Sequence, residues 1–235
     1  VTCGVIMTEI ITSDKPAVDQ DPHPARLIVT LALAGLISGV AIVGIFEATF
    51  TTIAENKARE LRAAVFKVLP GVSQMQKLAY LDGQVVPLPP DASPEKTIYA
   101  GYGEGGKFIG YAIPGEGPGF QDTIKLLYGY KPADRKVVGM EILESRETPG
   151  LGDKIYKDAV FVGNFADLPI DPVIEVVKKG RRDSDNQVDA ITGATISSRA
   201  VVRIINETNV IWLDKLPATG SEPVMPAGSD EVAHD

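Results

Sequence analysis

The chain has 235 residues, a net charge of −8, one cysteine and two histidines. Its length allows one folded domain with an anchor and tails, and an acidic chain without a segregated basic patch is a poor partner for nucleic acid. Cys3, His23 and His234 lie near the two ends, so they cannot supply the ligands of structural zinc, iron–sulfur clusters or haem, or a cysteine protease site. We predict no metal site, and redox chemistry would require an organic cofactor.

Residues 27–46 contain no charged side chain. About twenty apolar residues in a helix rise roughly 30 Å, the thickness of the bilayer hydrocarbon. We therefore predict an uncleaved transmembrane helix after a disordered cytoplasmic tail at residues 1–26, in which Met7 is a candidate natural start. A buried core helix or a cleaved signal peptide would be shorter, and the segment before this run is long and acidic.

The region after the apolar run predicts an α+β domain at residues 47–216. A helix is expected over residues 47–69, ended by Pro70-Gly71, and a second over residues 196–207 should pack across a sheet. Between them, short runs rich in Val, Ile, Tyr and Phe predict antiparallel strands at residues 96–102, 108–113, 123–129 and 137–143. Residues 217–235 have too little apolar surface to fold and predict a disordered acidic tail.

One motif with chemical meaning is Asp189-Ala-Ile-Thr-Gly-Ala-Thr-Ile-Ser-Ser198, the 189–198 motif, which precedes the second helix. Gly193 and Ala194 leave the Thr195 hydroxyl sterically open. The start of the helix that follows favours a phosphate, because its N–H groups are unsatisfied and its dipole is positive there. The alternative is that Thr192, Thr195 and Ser197 are simply N-cap residues of that helix.

Another motif, Glu147-Thr-Pro-Gly-Leu-Gly152, the 147–152 motif, directly follows the last predicted strand. Pro149 and Gly150 suit the two central positions of a type II turn. Such a turn exposes backbone N–H groups, against which a planar ring or a phosphate can lie. The alternative is an ordinary turn that ends a strand.

Together the two motifs resemble the FMN-binding domain shared by the RnfG subunit of Rnf electron-transport complexes and the NqrC subunit of sodium-translocating NADH:quinone reductase, and RnfG more closely. The family pattern is ETPGLG followed by D-x-x-[ST]-G-A-T, here ending at Thr195. The resemblance covers about residues 27–209. Ala190 and Thr192 stand where many relatives have glycine and serine, and both changes keep the segment small and polar.

The resemblance implies that a separate flavin transferase, with magnesium, moves FMN from FAD onto the Thr195 hydroxyl as a phosphodiester. It also implies that the flavin relays electrons between other subunits of an Rnf-type complex, on the outer side of the bacterial cytoplasmic membrane. We expect Asp189 to assist recognition or to form a hydrogen bond near the acceptor hydroxyl. The expected noncovalent contacts comprise two groups, those flanking the attachment and those in the turn: Thr192, Gly193 and Ala194, and Glu147, Thr148, Gly150, Leu151 and Gly152.

Two other interpretations remain open from the residues alone. The domain could be a membrane-tethered FMN-binding protein of a regulator or reductase system. It could also be a cofactor-free module that holds an envelope component on its sheet and glycine loops.

Overall fold

The computed structural model describes residues 24–88 and 97–225. Most of the predicted N-terminal tail and the end of the predicted acidic tail, residues 226–235, lie outside the described residues. The chain divides into two compact units, residues 1–54 and residues 55–235. The long helix α1, Pro24–Val68, is one continuous element, so the helix expected over residues 47–69 is the continuation of the apolar one.

The N-terminal part of α1 is long and apolar enough to cross a membrane. Its most apolar window of 18 residues has a mean hydropathy of 2.5, and none of that window is buried by the rest of the chain. A buried core helix would be covered by other elements, whereas the described residues leave this window uncovered. Its length and composition fit the predicted transmembrane helix.

The second unit is built on a seven-stranded antiparallel sheet with the strand order β2-β1-β3-β4-β5-β6-β7. The predicted strands are all present, and β1, β2 and β7 extend the sheet beyond them. A parallel pair, β8 and β9, forms a separate small sheet. The strands are β1 Gln74–Leu81, β2 Gln84–Pro87, β3 Thr97–Tyr102, β4 Phe108–Pro118, β5 Thr123–Lys131, β6 Lys136–Glu144, β7 Leu168–Pro169, β8 Glu175–Val177 and β9 Gln187–Asp189.

Both faces of the large sheet are covered, each by one helix of this unit. The helix α4, Thr195–Trp212, packs on one face through side chains such as Ile204 and Ile205, and the end of α1 packs on the other through Val65 and Val68. Because strand side chains alternate between faces, Leu126 joins the α4 side and Leu127 the α1 side. The fold is therefore α+β, as predicted.

Glycines allow α1 to approach the sheet closely. Gly129 and Gly139 face each other on β5 and β6, and a Cβ atom on either would collide with the backbone of Val68. The end of α1 is thus packed directly against the backbones of β5 and β6.

Two short helices, α2 Lys154–Lys157 and α3 Ala159–Gly163, connect β6 to β7. Beyond α4, contacts continue past the predicted domain boundary after Leu216. The Tyr102 hydroxyl donates to the carbonyl of Pro223 at 2.6 Å, and Met225 packs against the core on the α4 side. The first part of the expected tail, residues 217–225, therefore lies along the domain.

Candidate functional site

The 147–152 motif forms a tight turn after the end of β6. The N–H groups of Leu151 and Gly152 donate to the carbonyl of Thr148 at 3.2 and 3.0 Å. Gly150 has a φ of 77°, which is the left-handed conformation that a type II turn requires at its second central position. The turn expected from Pro149-Gly150 is confirmed.

The 189–198 motif forms a turn of the same kind directly before α4. The Ala194 N–H donates to the carbonyl of Ile191 at 3.0 Å, and Gly193 has a φ of 86°. Only glycine adopts this conformation without strain, so Gly193 is required by the turn as well as by the space beside Thr195. The turn ends at Ala194, so Thr195 is the first residue of α4.

The start of α4 is not capped by a side chain. Its N-cap residue is Ala194, which has no side-chain oxygen to offer. The hydroxyls that could have capped the helix do not bond its first N–H groups. The Thr192 side chain is exposed, and the Ser197 hydroxyl donates to the carboxylate of Glu147. The alternative in which these residues serve as N-caps is therefore wrong, and no side chain of the described residues caps the first-turn N–H groups.

Thr195 itself is partly buried, and its hydroxyl makes no hydrogen bond within residues 24–88 and 97–225. Its neighbour Ser198 is fully buried and holds the turn to the helix. The Ser198 hydroxyl accepts from the Ile191 N–H at 3.1 Å and donates to the Ala194 carbonyl at 2.9 Å. The backbone around Thr195 is thus fixed while its hydroxyl is left without a partner in this part of the chain.

Glu147 connects the two motifs. It is 5% exposed, and one carboxylate oxygen accepts from the N–H groups of Phe120 and Gln121, both at 2.9 Å. The other oxygen accepts from the Ser197 hydroxyl in the first turn of α4. One side chain therefore ties the β4–β5 loop to the start of the helix.

The hydrogen bonds to Glu147 also control its charge. Burial by itself would raise the pKa of this carboxyl, but hydrogen bonds from Ser197 and from the backbone of Gln121, Phe120 and Asp122 lower it by more. The pKa consequently lies below the ordinary glutamate value. At neutral pH the carboxylate is ionised, and both of its oxygens accept hydrogen bonds from the β4–β5 loop and from Ser197.

Further contacts place the turn of the 147–152 motif over that of the 189–198 motif. A Cβ atom on Gly193 would lie 3.7 Å from Cδ2 of Leu151, and one on Gly152 would lie 3.2 Å from Oγ of Ser197. Thr148 is bound to the β4–β5 loop, because its hydroxyl donates to Gln121 Oε1 at 2.9 Å. The sequence motifs that were expected to form one site are adjacent.

Large apolar side chains are exposed around this junction. Leu151 and Ile196 are 49% and 56% exposed, and Phe120, whose backbone is held by Glu147, is 64% exposed. Together they offer apolar surface beside the two turns. Phe120 and Ser197 belong to this junction, although no local sequence signal marked either as a cofactor contact.

Asp189, the first residue of the 189–198 motif, bonds the loop between β8 and β9 and not the 147–152 turn. Its carboxylate oxygen Oδ1 accepts from the Gly180 N–H at 2.8 Å, in the loop between β8 and β9. That loop begins with Lys-Lys-Gly-Arg-Arg at residues 178–182, and Asp183 and Asp185 follow in the same loop. Four cations thus stand in five residues at the start of this loop.

The residues of the junction fit an attached FMN. An unbonded hydroxyl at an uncapped helix start suits a phosphate ester, and the small residues Gly193 and Ala194 beside it leave room for a bulky group. The exposed side chains of Leu151 and Phe120 suit a planar aromatic ring. Residues 119–209 match the family model described as the FMN-binding domain.

Known relatives align over most of the chain. It is 32% identical to the G subunit of the proton-translocating ferredoxin:NAD(+) oxidoreductase complex of Clostridium ljungdahlii, over 81% of this chain and 93% of that one. It is 32% identical to the G subunit of the ion-translocating oxidoreductase complex of Escherichia coli K12, over 82% of this chain and 95% of that one. The corresponding protein of Methanosarcina acetivorans is 29% identical, over 75% of this chain and 88% of that one.

A solved structure shares the fold. The C subunit of the Na(+)-translocating NADH-quinone reductase from Parabacteroides distasonis superposes with a TM-score of 0.56 at 18% identity, covering 72% of this chain and 96% of that one. At that identity the similarity concerns the fold alone.

Proposed function

The chain belongs to the RnfG/NqrC family as an RnfG-like subunit of an ion-translocating oxidoreductase complex with an FMN-binding domain, and from this premise we propose that FMN is esterified through its phosphate to Thr195. The Thr195 oxygen bonds to the flavin-side phosphorus of FAD, the bond from that phosphorus to the oxygen of AMP breaks, and AMP leaves. A separate flavin transferase with magnesium orients the reactants and accepts the hydroxyl proton.

The observation that carries this proposal is the state of the Thr195 hydroxyl. It is the one hydroxyl at the start of α4 that has no hydrogen bond among the described residues, whereas the neighbouring Ser197 and Ser198 hydroxyls are both engaged. A phosphate on Thr195 would lie beside N–H groups that no side chain caps and at the positive end of the helix dipole. Esterification therefore breaks no hydrogen bond among the described residues.

The chain's own residues would then hold the flavin ring near the turn junction. We propose that Leu151 and Phe120 contact the ring, that Gly150 and Gly152 allow its close approach, and that Thr148 borders it. Glu147 contributes by holding the turns, since its carboxylate is already occupied. Thr192, Gly193 and Ala194 flank the ester, and Asp189 supports recognition by fixing the neighbouring loop.

The flavin supplies electron storage and transfer when bound, and the protein acts as a relay between other subunits of the complex. We propose that residues 27–46 of α1 span the cytoplasmic membrane and that the FMN domain lies on its outer side. There, a dissociable cofactor would be lost to a large volume. A covalent bond instead keeps the flavin at a fixed local concentration beside its membrane partners.

The test is to produce the chain with and without a flavin transferase and to examine flavin fluorescence after denaturing electrophoresis. Wild-type chain made with the transferase should retain the fluorescence, and Thr195→Val should lose it with little change in stability, because the hydroxyl makes no hydrogen bond among the described residues. Thr192→Val is the matched control and should retain it. Retention by Thr195→Val, or loss at Thr192→Val alone, would show that the ester is assigned to the wrong residue.

A further inference from the structure

Arg199 lies one helical turn beyond Thr195 on the same side of α4. The helix begins at Thr195, and side chains four residues apart on a helix are neighbours, with Cβ atoms about 5–6 Å apart. Helical side chains also lean toward the start of their helix, so a side chain at position 199 covers the surface beside position 195. The long arginine side chain can therefore reach a group attached to the Thr195 hydroxyl.

The start of α4 lacks the negative charge that helix starts usually carry. Its first turn contains no acidic residue, and its first charged residue is Arg199, a cation. Near the positive end of a helix dipole an anion is stabilising and a cation destabilising. Glu147 supplies one negative charge through its contact with Ser197, but its oxygens already accept from that hydroxyl and from the β4–β5 loop.

Arg199 is exposed, and within the described part of the chain it makes no hydrogen bond or ion pair. The other arginine of α4 is engaged: Arg203 donates to the carbonyl of Pro118, and its Nε lies 3.9 Å from Glu207 Oε1. Other exposed cations, such as Lys107, also lack a partner among the described residues, so this property alone assigns no role. What distinguishes Arg199 is its position one turn from the residue proposed to carry the cofactor.

We infer that Arg199 pairs with the phosphate of the FMN esterified to Thr195. This inference rests on the proposed attachment. A phosphodiester keeps a negative charge on its two non-bridging oxygens, and a planar guanidinium can donate to both. The charge would compensate both Arg199 and the helix dipole. The ester bond and the guanidinium would together hold the phosphate end of the tether at two points, which restricts where the flavin ring can lie.

The experiment compares the FMN-free and FMN-carrying forms of the full chain in detergent, made without and with a flavin transferase. The variants are Arg199→Gln, which removes the charge, and Arg199→Lys, which keeps it. Lys107→Gln is the control, because Lys107 is exposed and directly precedes β4, at the opposite end of that strand from the β4–β5 loop. The midpoint of thermal unfolding is followed by circular dichroism at low and high salt.

We expect Arg199→Gln to lower the midpoint of the FMN-carrying form by about 2–4 °C at low salt. The same change should leave the FMN-free form unchanged or more stable, because it removes a cation from the positive end of the helix. Arg199→Lys should restore most of the loss, and high salt should reduce it. A side chain needed only for folding would change both forms alike, as we expect for Lys107→Gln.

A second measurement needs no substitution. Phenylglyoxal modifies free guanidinium groups, and the modified arginines are identified by peptide mass. In the wild-type chain Arg199 should react at least about threefold more slowly when FMN is attached, because its guanidinium is then paired. Arg59, which is exposed on α1, is the reference and should react equally in both forms.

The two proposals fail in different ways. A wild-type chain without FMN on Thr195 refutes the attachment and this inference with it. FMN on Thr195 with equal effects of Arg199→Gln on both forms overturns this inference alone. That holds even if Arg199 is protected from phenylglyoxal, because the flavin would then merely cover it.

Discussion

The Ser197 hydroxyl donates a hydrogen bond to Oε2 of Glu147, a residue 50 positions earlier in the chain. Ser197 lies in the first turn of α4, two residues after Thr195, and Glu147 begins the turn that follows β6. The bond joins the two sequence motifs directly. Through this bond and its bonds to Phe120 and Gln121, Glu147 holds the start of α4 next to the β4–β5 loop.

Replacing Glu147 should destabilise the domain. Glu147→Gln removes the charge that accepts from Ser197, Phe120 and Gln121 and turns an N–H₂ group toward one of these donors. We expect the free energy of unfolding to fall by about 1–3 kcal/mol. Thermal or urea denaturation of the detergent-solubilised chain measures it, and Glu116→Gln, at an exposed glutamate, is the control. Equal stability of the two variants would show that Glu147 does not stabilise the contact between the start of α4 and the β4–β5 loop.

The same carboxyl predicts a pH dependence. Its folded pKa lies below the ordinary value of 4.5, so its stabilising contribution is complete above that value and is lost as the pH falls through the folded pKa. The difference in unfolding free energy between wild type and Glu147→Gln should therefore be largest at neutral pH and shrink in the acid range below 4.5. A difference that stays constant down to that range would mean that the charge of Glu147 contributes nothing.

A glycine at position 152 is required by packing and not by backbone conformation. A Cβ atom there would lie 2.7 Å from Cβ and 2.8 Å from Oε2 of Glu147, which is fixed by its hydrogen bonds. We expect Gly152→Ala to cost about 1–3 kcal/mol of stability and to slow FMN attachment. Gly163→Ala is the control, because the added methyl group meets no heavy atom of the described residues within 4 Å apart from its chain neighbours and its own helix backbone. Unchanged melting and attachment in Gly152→Ala would show that the turn junction tolerates displacement.

The orientation of the proposed membrane-spanning helix can be tested with the single cysteine of the chain. Cys3 precedes residues 27–46, so a membrane-impermeant maleimide should leave it unlabelled in intact spheroplasts. A chain with Cys3→Ser and Glu104→Cys should be labelled, since Glu104 is exposed in the FMN domain. The reverse pattern would place the domain in the cytoplasm.

Much of the fold could be predicted because its signals are local. Each of the main elements has a signal within its own residues, and the structure contains all of them. These signals are the absence of charge at 27–46, the apolar runs between 96 and 143, and the helical spacing of apolar residues from 196. The strands β7, β8 and β9 have only two or three residues each, too few to show a period. From the sequence, these short strands could not be distinguished from loops.

The site was predictable in its motifs but not in its connections. The two turns follow from Gly150 and Gly193, whereas the role of Glu147 depends on partners 26, 27 and 50 residues away. No local pattern reports such contacts. The cationic run at 178–182 is visible in the sequence, but the net charge of the whole chain hides it.

The covalent attachment is tested most directly by the mass of one peptide. Trypsin cleavage after Arg182 and Arg199 releases residues 183–199, which contain Thr192, Thr195 and Ser197. In a chain matured with a flavin transferase, we expect this peptide to carry the mass of FMN less one water, and fragmentation to place it on Thr195. An unmodified peptide from a yellow sample, or a flavin located on another residue, would contradict the account.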